Sequence, residues 1–362
     1  MTDSQIDALI EIFQARMQKV VDEYLKRMGK QVREIGEIIP SDQTRLVQLK
    51  KLDANIAYIQ REIAYAADVS IEDVARIFEA IAEDNARFAE AYFGPGVSTE
   101  TLMQSVRAQL EVTAGEMANL SRTTVESRVY RDVIDRGIQA AQTGVEGYKS
   151  AMRRALREAS ADGLRVEYAS GRTMRLDSAV RMNVLDGIRA LNQANMDAIG
   201  SVFGADGVEL SAHPMCAEDH LPYQGRQFTN AEFAELQDSL PRPIGMWNCR
   251  HIAHPILLGI SKPAHSADEL AEFKSNSTQK IEIDGVEKSR YEWTQEQRRV
   301  ETAVRYQQDE ITLAKAAGDD VLVREAKRRI RELDAYYDRI SKTAGTPKRK
   351  ERMGTYYGKN KR

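Results

Sequence analysis

The residue types that could do chemistry in this sequence are concentrated in one stretch. All five histidines and both cysteines lie between His213 and His265, together with six of the nine prolines. Two thiolates and two imidazoles form a donor set that tetrahedral zinc accepts, and a bound ion would stabilise a proline-rich region with little core of its own. We expect no obligatory cofactor, and we keep as a hypothesis a zinc site formed by Cys216, His220, Cys249 and His251.

Two features of the stretch from His213 to His265, the cysteine–histidine window, leave this hypothesis open. The Cys249-x-His251 spacing is tighter than the usual gap between zinc ligands, and His213 could replace any of the four residues. The competing interpretation is that these side chains are packed or hydrogen-bonded without a metal.

Enzymatic interpretations of the same window are weaker. A metal-dependent nuclease needs a base, metal ligands and a placed cation, and the residues of those types are Asp219, His220, Arg250 and His251. No His-Asn-His order accompanies them, and Cys249 and His251 are sequence neighbours, which rarely face each other as a nucleophile and its base. The segment around Gly94 also lacks the Lys-Ser/Thr of a phosphate-binding loop. We therefore expect a protein that is not an enzyme.

Composition limits the class of protein. The chain has 362 residues, 42% hydrophobic and 30% charged, which predicts a globular protein of two or three units. No uninterrupted apolar run is long enough for a membrane helix, and we expect no secretory signal at the start of this sequence. Two cysteines are too few for a disulfide scaffold.

Charge is distributed unevenly along the chain. The formal net charge is −3, yet between Lys342 and Arg362 eight basic residues face one acidic residue, Glu351. Cations interleaved with tyrosines are typical of sequence-tolerant phosphate binding. The residues expected to contact DNA or an acidic protein surface are Lys348, Arg349, Lys350, Arg352, Tyr356, Tyr357 and Lys359. A solvated terminus is the third interpretation.

Long helices are predicted for the N-terminal part. Apolar residues recur at spacings of three and four from Ile6 to Val32, and no proline occurs between Pro95 and Pro214. Ser70 to Asp73 resembles a capping box and predicts a helix start. The predicted helices after the first one cover about 43–66, 71–92, 98–121 and 125–159.

The fold class predicted is mainly α with a small central α+β domain. Short hairpins are expected at 164–176 and around Asp284-Gly285, with a helix from Asp177 to Phe203, a strand at 208–211 and a short helix at 230–240. A C-terminal helical hairpin turns at Gly318. The predicted domains are a helical assembly region at 1–159, an α+β domain at 160–290, a charged helical hairpin at 291–343 and a basic tail at 344–362.

A series of short motifs follows one order through the central domain. The motifs run from Tyr168-Ala-Ser-Gly-Arg172 through Asn248-Cys-Arg-His251 to the helix that starts at Tyr291. In this order they resemble the phage minor capsid protein 2 family, which is related to the Mu-type F head morphogenesis proteins. The residues that carry the resemblance include Tyr168, Gly171, Arg172, Arg181, His213, Gln224, Gly225, Asn248, Cys249, Arg250, His251, Pro255, Tyr291, Gln295 and Arg298.

The resemblance implies a structural minor capsid or head morphogenesis protein of a tailed phage. It implies attachment to the portal or the inner shell, and help in head assembly, DNA packaging or ejection. The implied partners are the portal protein, the major capsid protein, further copies of this chain and, through the basic tail, packaged double-stranded DNA, with no membrane. The implied location is the capsid interior or portal vertex, after assembly in the host cytoplasm. The alternative is a zinc-stabilised DNA-binding or nuclease module of a mobile element.

Overall fold

The computed structural model describes residues 3–37, 42–126, 135, 148–162, 164–246 and 249–353. Helices dominate these residues, as the sequence predicts. The helices are α1 (Asp3–Glu37), α2 (Asp42–Phe93), α3 (Thr99–Thr123), α4 (Tyr148–Asp162), α5 (Leu176–Phe203), α6 (Asn230–Ser239), α7 (Ala267–Thr278), α8 (Arg290–Ala317) and α9 (Asp320–Ala344), followed by a 3-10 turn at Lys350–Met353. The strands are β1 (Thr124–Glu126), β2 (Leu164–Glu167), β3 (Thr173–Arg175), β4 (Gly207–Leu210), β5 (Gln227–Thr229), β6 (Ala253–Ile256), β7 (Lys280–Ile283) and β8 (Val286–Ser289).

The chain divides into two compact units, each made of three segments. Unit 1 comprises Met1–Ile10, Val69–Glu116 and Arg181–Gln295. Unit 2 comprises Glu11–Asp68, Met117–Val180 and Glu296–Arg362. The domain boundaries at 159, 290 and 343 stay predictions. Among the described helices, none is long and apolar enough to cross a membrane.

The predicted helix start at Ser70 is wrong. Helix α2 continues through this position for 52 residues, from Asp42 to Phe93. Ser70 is fully buried, and Ile63 before it and Val74 after it are buried as well. The apolar stripe therefore runs unbroken at helical spacing, and the gain from burying it outweighs a local capping signal.

The predicted helix over 125–159 is wrong at its first residues. Thr124–Glu126 forms strand β1, which pairs antiparallel with β2, and helix α4 begins only at Tyr148. The Thr124 hydroxyl donates to the carbonyl of Leu120 at the end of α3. Residues 127–134 and 136–147 of the predicted helix lie outside the described part of the chain.

Both predicted hairpins are confirmed. Strand β2 pairs antiparallel with β3, and the turn between them places Gly171 at φ 78°. Strand β7 pairs with β8 through Asp284 at φ 52° and Gly285 at φ 77°. Two consecutive residues with positive φ are what a type I′ turn requires.

The core of unit 2 brings α1 against α8. Phe13, Met17, Tyr24 and Met28 on α1 are all buried. A Cβ added at Gly29 would lie 2.5 Å from the carbonyl oxygen of Leu313, so the two helices approach as closely as a glycine allows. The methionine and aromatic positions of this helix are core residues, as the spacing predicts.

A three-stranded sheet in unit 1 positions the cysteine–histidine window. Its strand order is β5–β4–β6, with both pairs antiparallel. Leu210, Phe228, Ile244 and Cys249 form a buried cluster on this sheet. The residues of the window therefore lie in loops that are anchored by a small core.

Candidate metal centre and other predicted sites

The chain just before β6 places Cys249 and His251 on the same side. Cys249 is 3% exposed and His251 is 4% exposed, whereas Arg250 between them is exposed. Side chains two residues apart in an extended chain point to the same face. Ser211 holds the segment against β4, because its N–H donates to the carbonyl of Ile252 and its hydroxyl accepts from the N–H of Ile252.

The loop after β4 brings His220 to the same place. His220 is 1% exposed, and its backbone N–H donates to the carbonyl of Ala217 in a tight turn. Its Nδ1 lies 3.2 Å from Cys249 Sγ, and Cys249 Sγ lies 3.3 Å from His251 Nδ1. One ligand atom from each of the three residues lies within 4.8 Å of the others. This is the group that could hold a metal ion.

The second nitrogen of each imidazole has a separate partner. His220 Nε2 lies 2.8 Å from the carbonyl oxygen of Arg242, and His251 Nε2 lies 3.6 Å from Cys216 Sγ. The Cys216 thiol in turn donates to the carbonyl of Ala217 at 3.2 Å. Outer partners of this kind fix the orientation and tautomer of an imidazole.

The structure therefore brings three of the four predicted zinc ligands together. Cys216 is fully buried, but its sulfur faces the far nitrogen of His251 and lies outside the group of three. His213, the predicted substitute ligand, packs its ring 4.6 Å from that of His251 and places its Nδ1 3.0 Å from the carbonyl oxygen of Pro214.

The two cysteines differ in acidity. Burial raises the pKa of Cys249, but hydrogen bonds with His220 and His251 outweigh it and lower this pKa to about 5. Burial raises the pKa of Cys216 to about 12, and the neighbouring Cys249 thiolate adds to the shift. Burial lowers the pKa of His220, but its contacts with Cys249 and the Arg242 carbonyl leave it above the ordinary value. The pKa values of the two thiols are therefore shifted in opposite directions.

The residues considered for a nuclease do not have the arrangement that a metal-dependent nuclease site needs. Asp219 forms a bidentate ion pair with Arg242: Nε lies 2.8 Å from Oδ2 and Nη2 lies 2.6 Å from Oδ1. The carboxylate therefore already has a cation, and both His220 and His251 are buried. The expectation that Cys249 and His251 would not face each other is wrong, since the extended chain puts them in contact.

The residues that carry the family resemblance occupy both units. In unit 1, Gln224 accepts from the N–H of His213 at 3.2 Å, and a Cβ at Gly225 would lie 2.4 Å from Leu270. Pro255 pairs with Val208 across β6 and β4. Tyr168, Gly171 and Arg172 surround the turn between β2 and β3 in unit 2; Arg181 lies on α5, and Tyr291, Gln295 and Arg298 lie on α8. Asn248 lies outside the described residues, and the roles of all these positions stay predictions.

Sequence reasoning missed a buried charge network in unit 2. Arg175 Nε donates to Asp177 at 3.1 Å and its Nη1 donates to Asp309, while Arg305 also donates to Asp177. Arg175, Asp177 and Asp309 are less than 9% exposed. No sequence signal distinguishes these residues from the many surface charges, because Arg305 and Asp309 lie more than 120 residues from their partners Asp177 and Arg175.

The start of the basic tail folds back onto α9. Lys348 pairs with Asp338 at 2.9 Å, and Lys350 pairs with Asp334 at 2.8 Å and with Asp338 at 3.0 Å. The backbone N–H of Arg349 donates to the Tyr337 hydroxyl. Arg352 belongs to the same 3-10 turn; Tyr356, Tyr357 and Lys359 lie outside the described residues. DNA contact by this segment stays a prediction.

Comparison with models of known protein families finds a match to this chain. The family described as phage minor capsid protein 2 matches residues 1–337. Neither the curated proteins nor the solved structures contain a match to this chain. The family match includes segments of both units and all the residues of the candidate metal centre.

Proposed function

Because this chain belongs to the phage minor capsid protein 2 family, a family of structural head components, we propose that it attaches to the portal vertex or the inner shell of a tailed-phage head. There it assists head assembly, DNA packaging or ejection. The observation that carries this proposal is the extent of the family match, which covers residues 1–337 rather than one module. A module of a mobile element would be expected to match over a shorter segment.

One helical surface of unit 2 suits contact with another head protein. Val47 is 50% exposed and Tyr65 is 69% exposed, and both lie on α2. They are 18 residues apart, which is about five helical turns, so they lie on the same face. Tyrosine is enriched in protein interfaces, where it combines a large apolar ring with a hydroxyl. We assign this face of α2, within the predicted assembly region 1–159, to a protein partner.

A protein partner is favoured over DNA as the main contact. The described part of the basic tail uses Lys348 and Lys350 in ion pairs with acidic residues of α9. DNA would have to compete with those pairs for the same ammonium groups. Packaged DNA therefore remains a secondary partner in this proposal, and it depends on the residues after Met353.

Binding to purified head components tests the proposal. The full chain should bind the portal protein or the major capsid protein of its phage, and Tyr65→Ser should weaken that binding about tenfold or more, as for a central aromatic contact. Val286→Ser is the matched control, because Val286 is 48% exposed on the β7–β8 hairpin of unit 1. Failure of the wild-type chain to bind either protein would overturn the proposal. Unchanged binding by Tyr65→Ser would refute the assignment of the α2 face.

A further inference from the structure

We propose that unit 1 binds one zinc ion through His220 Nδ1, Cys249 Sγ and His251 Nδ1, with Cys216 outside the coordination set. This goes beyond the structural role in the phage head and does not depend on it. The inference starts from the convergence of three buried ligand atoms.

The distances fit a tetrahedral ion. Zinc binds sulfur at about 2.3 Å and imidazole nitrogen at about 2.0–2.1 Å, which places tetrahedral sulfur and nitrogen ligands about 3.5 Å apart. Cys249 Sγ lies 3.2 Å from His220 Nδ1 and 3.3 Å from His251 Nδ1. The two imidazole nitrogens lie within 4.8 Å of each other, so the rings can close around an ion, and a water molecule or a neighbouring donor completes the shell.

Hydrogen bonding around the cluster calls for a cation between the three groups. His220 Nε2 must carry its proton to donate to the Arg242 carbonyl, so in the neutral ring Nδ1 presents a lone pair to Cys249. His251 has the same arrangement, with Nε2 directed at Cys216 Sγ and Nδ1 at Cys249. In the metal-free protein, protons shared between these atoms hold the three groups together, and metal binding releases those protons. A zinc ion accepts both lone pairs and the sulfur at once.

Cys216 has the properties of an outer partner. Its sulfur accepts from His251 Nε2 at 3.6 Å and its thiol donates to the Ala217 carbonyl at 3.2 Å. Its backbone N–H donates to the Ser277 hydroxyl at 3.0 Å, which fixes the start of the loop. Metal-bound imidazoles use such a partner on the second nitrogen, as His220 does with the Arg242 carbonyl. In this proposal Cys249 binds the metal, and Cys216 orients the imidazole of His251.

A metal would also join two segments that are separate along the chain. His220 comes from the loop between β4 and β5, and Cys249 and His251 come from the segment before β6. Between these positions the chain passes through α6 and a proline-rich loop, so the ion would close a long connection. Zinc binding then contributes directly to the folding free energy of this region.

The first test measures zinc in the purified full-length protein by inductively coupled plasma mass spectrometry. We expect about one zinc per chain, and a strong chelator should lower the melting temperature until zinc is restored. Cys216→Ser should retain one zinc per chain with an affinity reduced by less than about tenfold, because the serine hydroxyl can still accept from His251. His265→Ala is the matched control, since that ring packs against Phe273 at 5.3 Å, away from the cluster.

The second test identifies the ligands spectroscopically. Cobalt loaded in place of zinc should give an intense thiolate-to-metal charge-transfer band in wild type and in Cys216→Ser, and none in Cys249→Ser. His220→Gln should reduce the tetrahedral visible bands even if Cys249→Ser does not fold. Wild-type protein that neither contains zinc nor gains it on titration would overturn the proposal, and so would loss of the charge-transfer band in folded Cys216→Ser.

Discussion

Replacing Asp177 with asparagine should destabilise unit 2 strongly. Asp177 is the shared acceptor of Arg175 and Arg305, and its side chain is 4% exposed. The amide keeps the shape of the carboxylate but removes its charge, and asparagine can accept at only one of the two oxygen positions. Asp309 would remain bonded to Arg175, whereas Arg305 would lose the carboxylate to which it donates.

The magnitude follows from the cost of an uncompensated buried charge. Removing one partner of a buried ion pair costs about 3–5 kcal/mol. For a unit of this size, each kcal/mol lowers the melting temperature by about 2–4 °C. We therefore expect Asp177→Asn to lower the melting temperature by about 10 °C. Asp309→Asn should cost less, because Asp309 contacts one arginine of the network and Asp177 contacts two.

Calorimetry or circular dichroism of the full chain provides the measurement. Asp73→Asn is the matched control, because Asp73 pairs with Arg76 on the surface of α2, where the arginine side chain is 72% exposed. Such a pair contributes less than about 1 kcal/mol. A loss for Asp177→Asn no larger than that for Asp73→Asn would refute the assignment of a stabilising role to the network.

The same residue predicts a pH dependence. Burial raises the pKa of Asp177, but the charges of Arg175 and Arg305 outweigh it and lower this pKa from 3.8 to about 2. A lowered pKa in the folded state stabilises the protein above the unfolded value, and the contribution is lost as pH falls from about 4 towards 2. The difference in unfolding free energy between wild type and Asp177→Asn should shrink by about 2 kcal/mol over that window. A difference that stays constant would contradict the shift.

Two further predictions concern α1 and the tail. Gly29→Val should lower the free energy of unfolding by about 1–3 kcal/mol or more, because the added Cβ would lie 2.5 Å from the backbone of α8. Gly115→Ala is the control: no atom lies within 4 Å of the added Cβ, so this change should be neutral or stabilising in the thermal unfolding experiment described for Asp177→Asn. Ending the chain after Met353 removes three basic residues, and it should lower the slope of log affinity for DNA against log salt concentration by about 3. The double change Lys348→Gln with Lys350→Gln should affect this slope less, because both lysines are already paired with acidic residues. An unchanged slope in the truncated chain would exclude a phosphate contact there.

The fold could be predicted where local chemistry decides the backbone. Asp284-Gly285 forms the expected type I′ turn, and Gly318 ends α8 before Asp319 caps α9. The prediction failed where distant packing decides. Ser70 has the chemistry of a cap but lies on the buried stripe of α2, and Thr124 leaves the helical pattern because β2, some 40 residues later, offers a pairing edge. The residues that bury Ser70 and the strand that pairs with Thr124 are distant in the sequence. The local pattern therefore could not show that packing would outweigh the capping signal or that strand pairing would end the helix.

The candidate site divides in the same way. The concentration of cysteine and histidine was visible in the sequence, and the structure brings His220, Cys249 and His251 of that stretch together in unit 1. The unusually tight spacing of Cys249 and His251 counts against a metal only if the segment is helical or tightly turned. In an extended chain this spacing puts both side chains on one face, which is how the sulfur and Nδ1 come to lie 3.3 Å apart.

The roles proposed for the two cysteines could not be predicted from the sequence, because the difference between them comes from their neighbours rather than from the residue type. Cys249 accepts hydrogen bonds from two imidazoles, which stabilise its thiolate. Cys216 is buried, and its thiol donates a hydrogen bond to the carbonyl of Ala217. Exchanging those surroundings would exchange the roles. It follows that Cys249 should react with a thiolate-selective reagent in the metal-free, partly opened protein at a lower pH than Cys216, and that zinc should protect Cys249 alone.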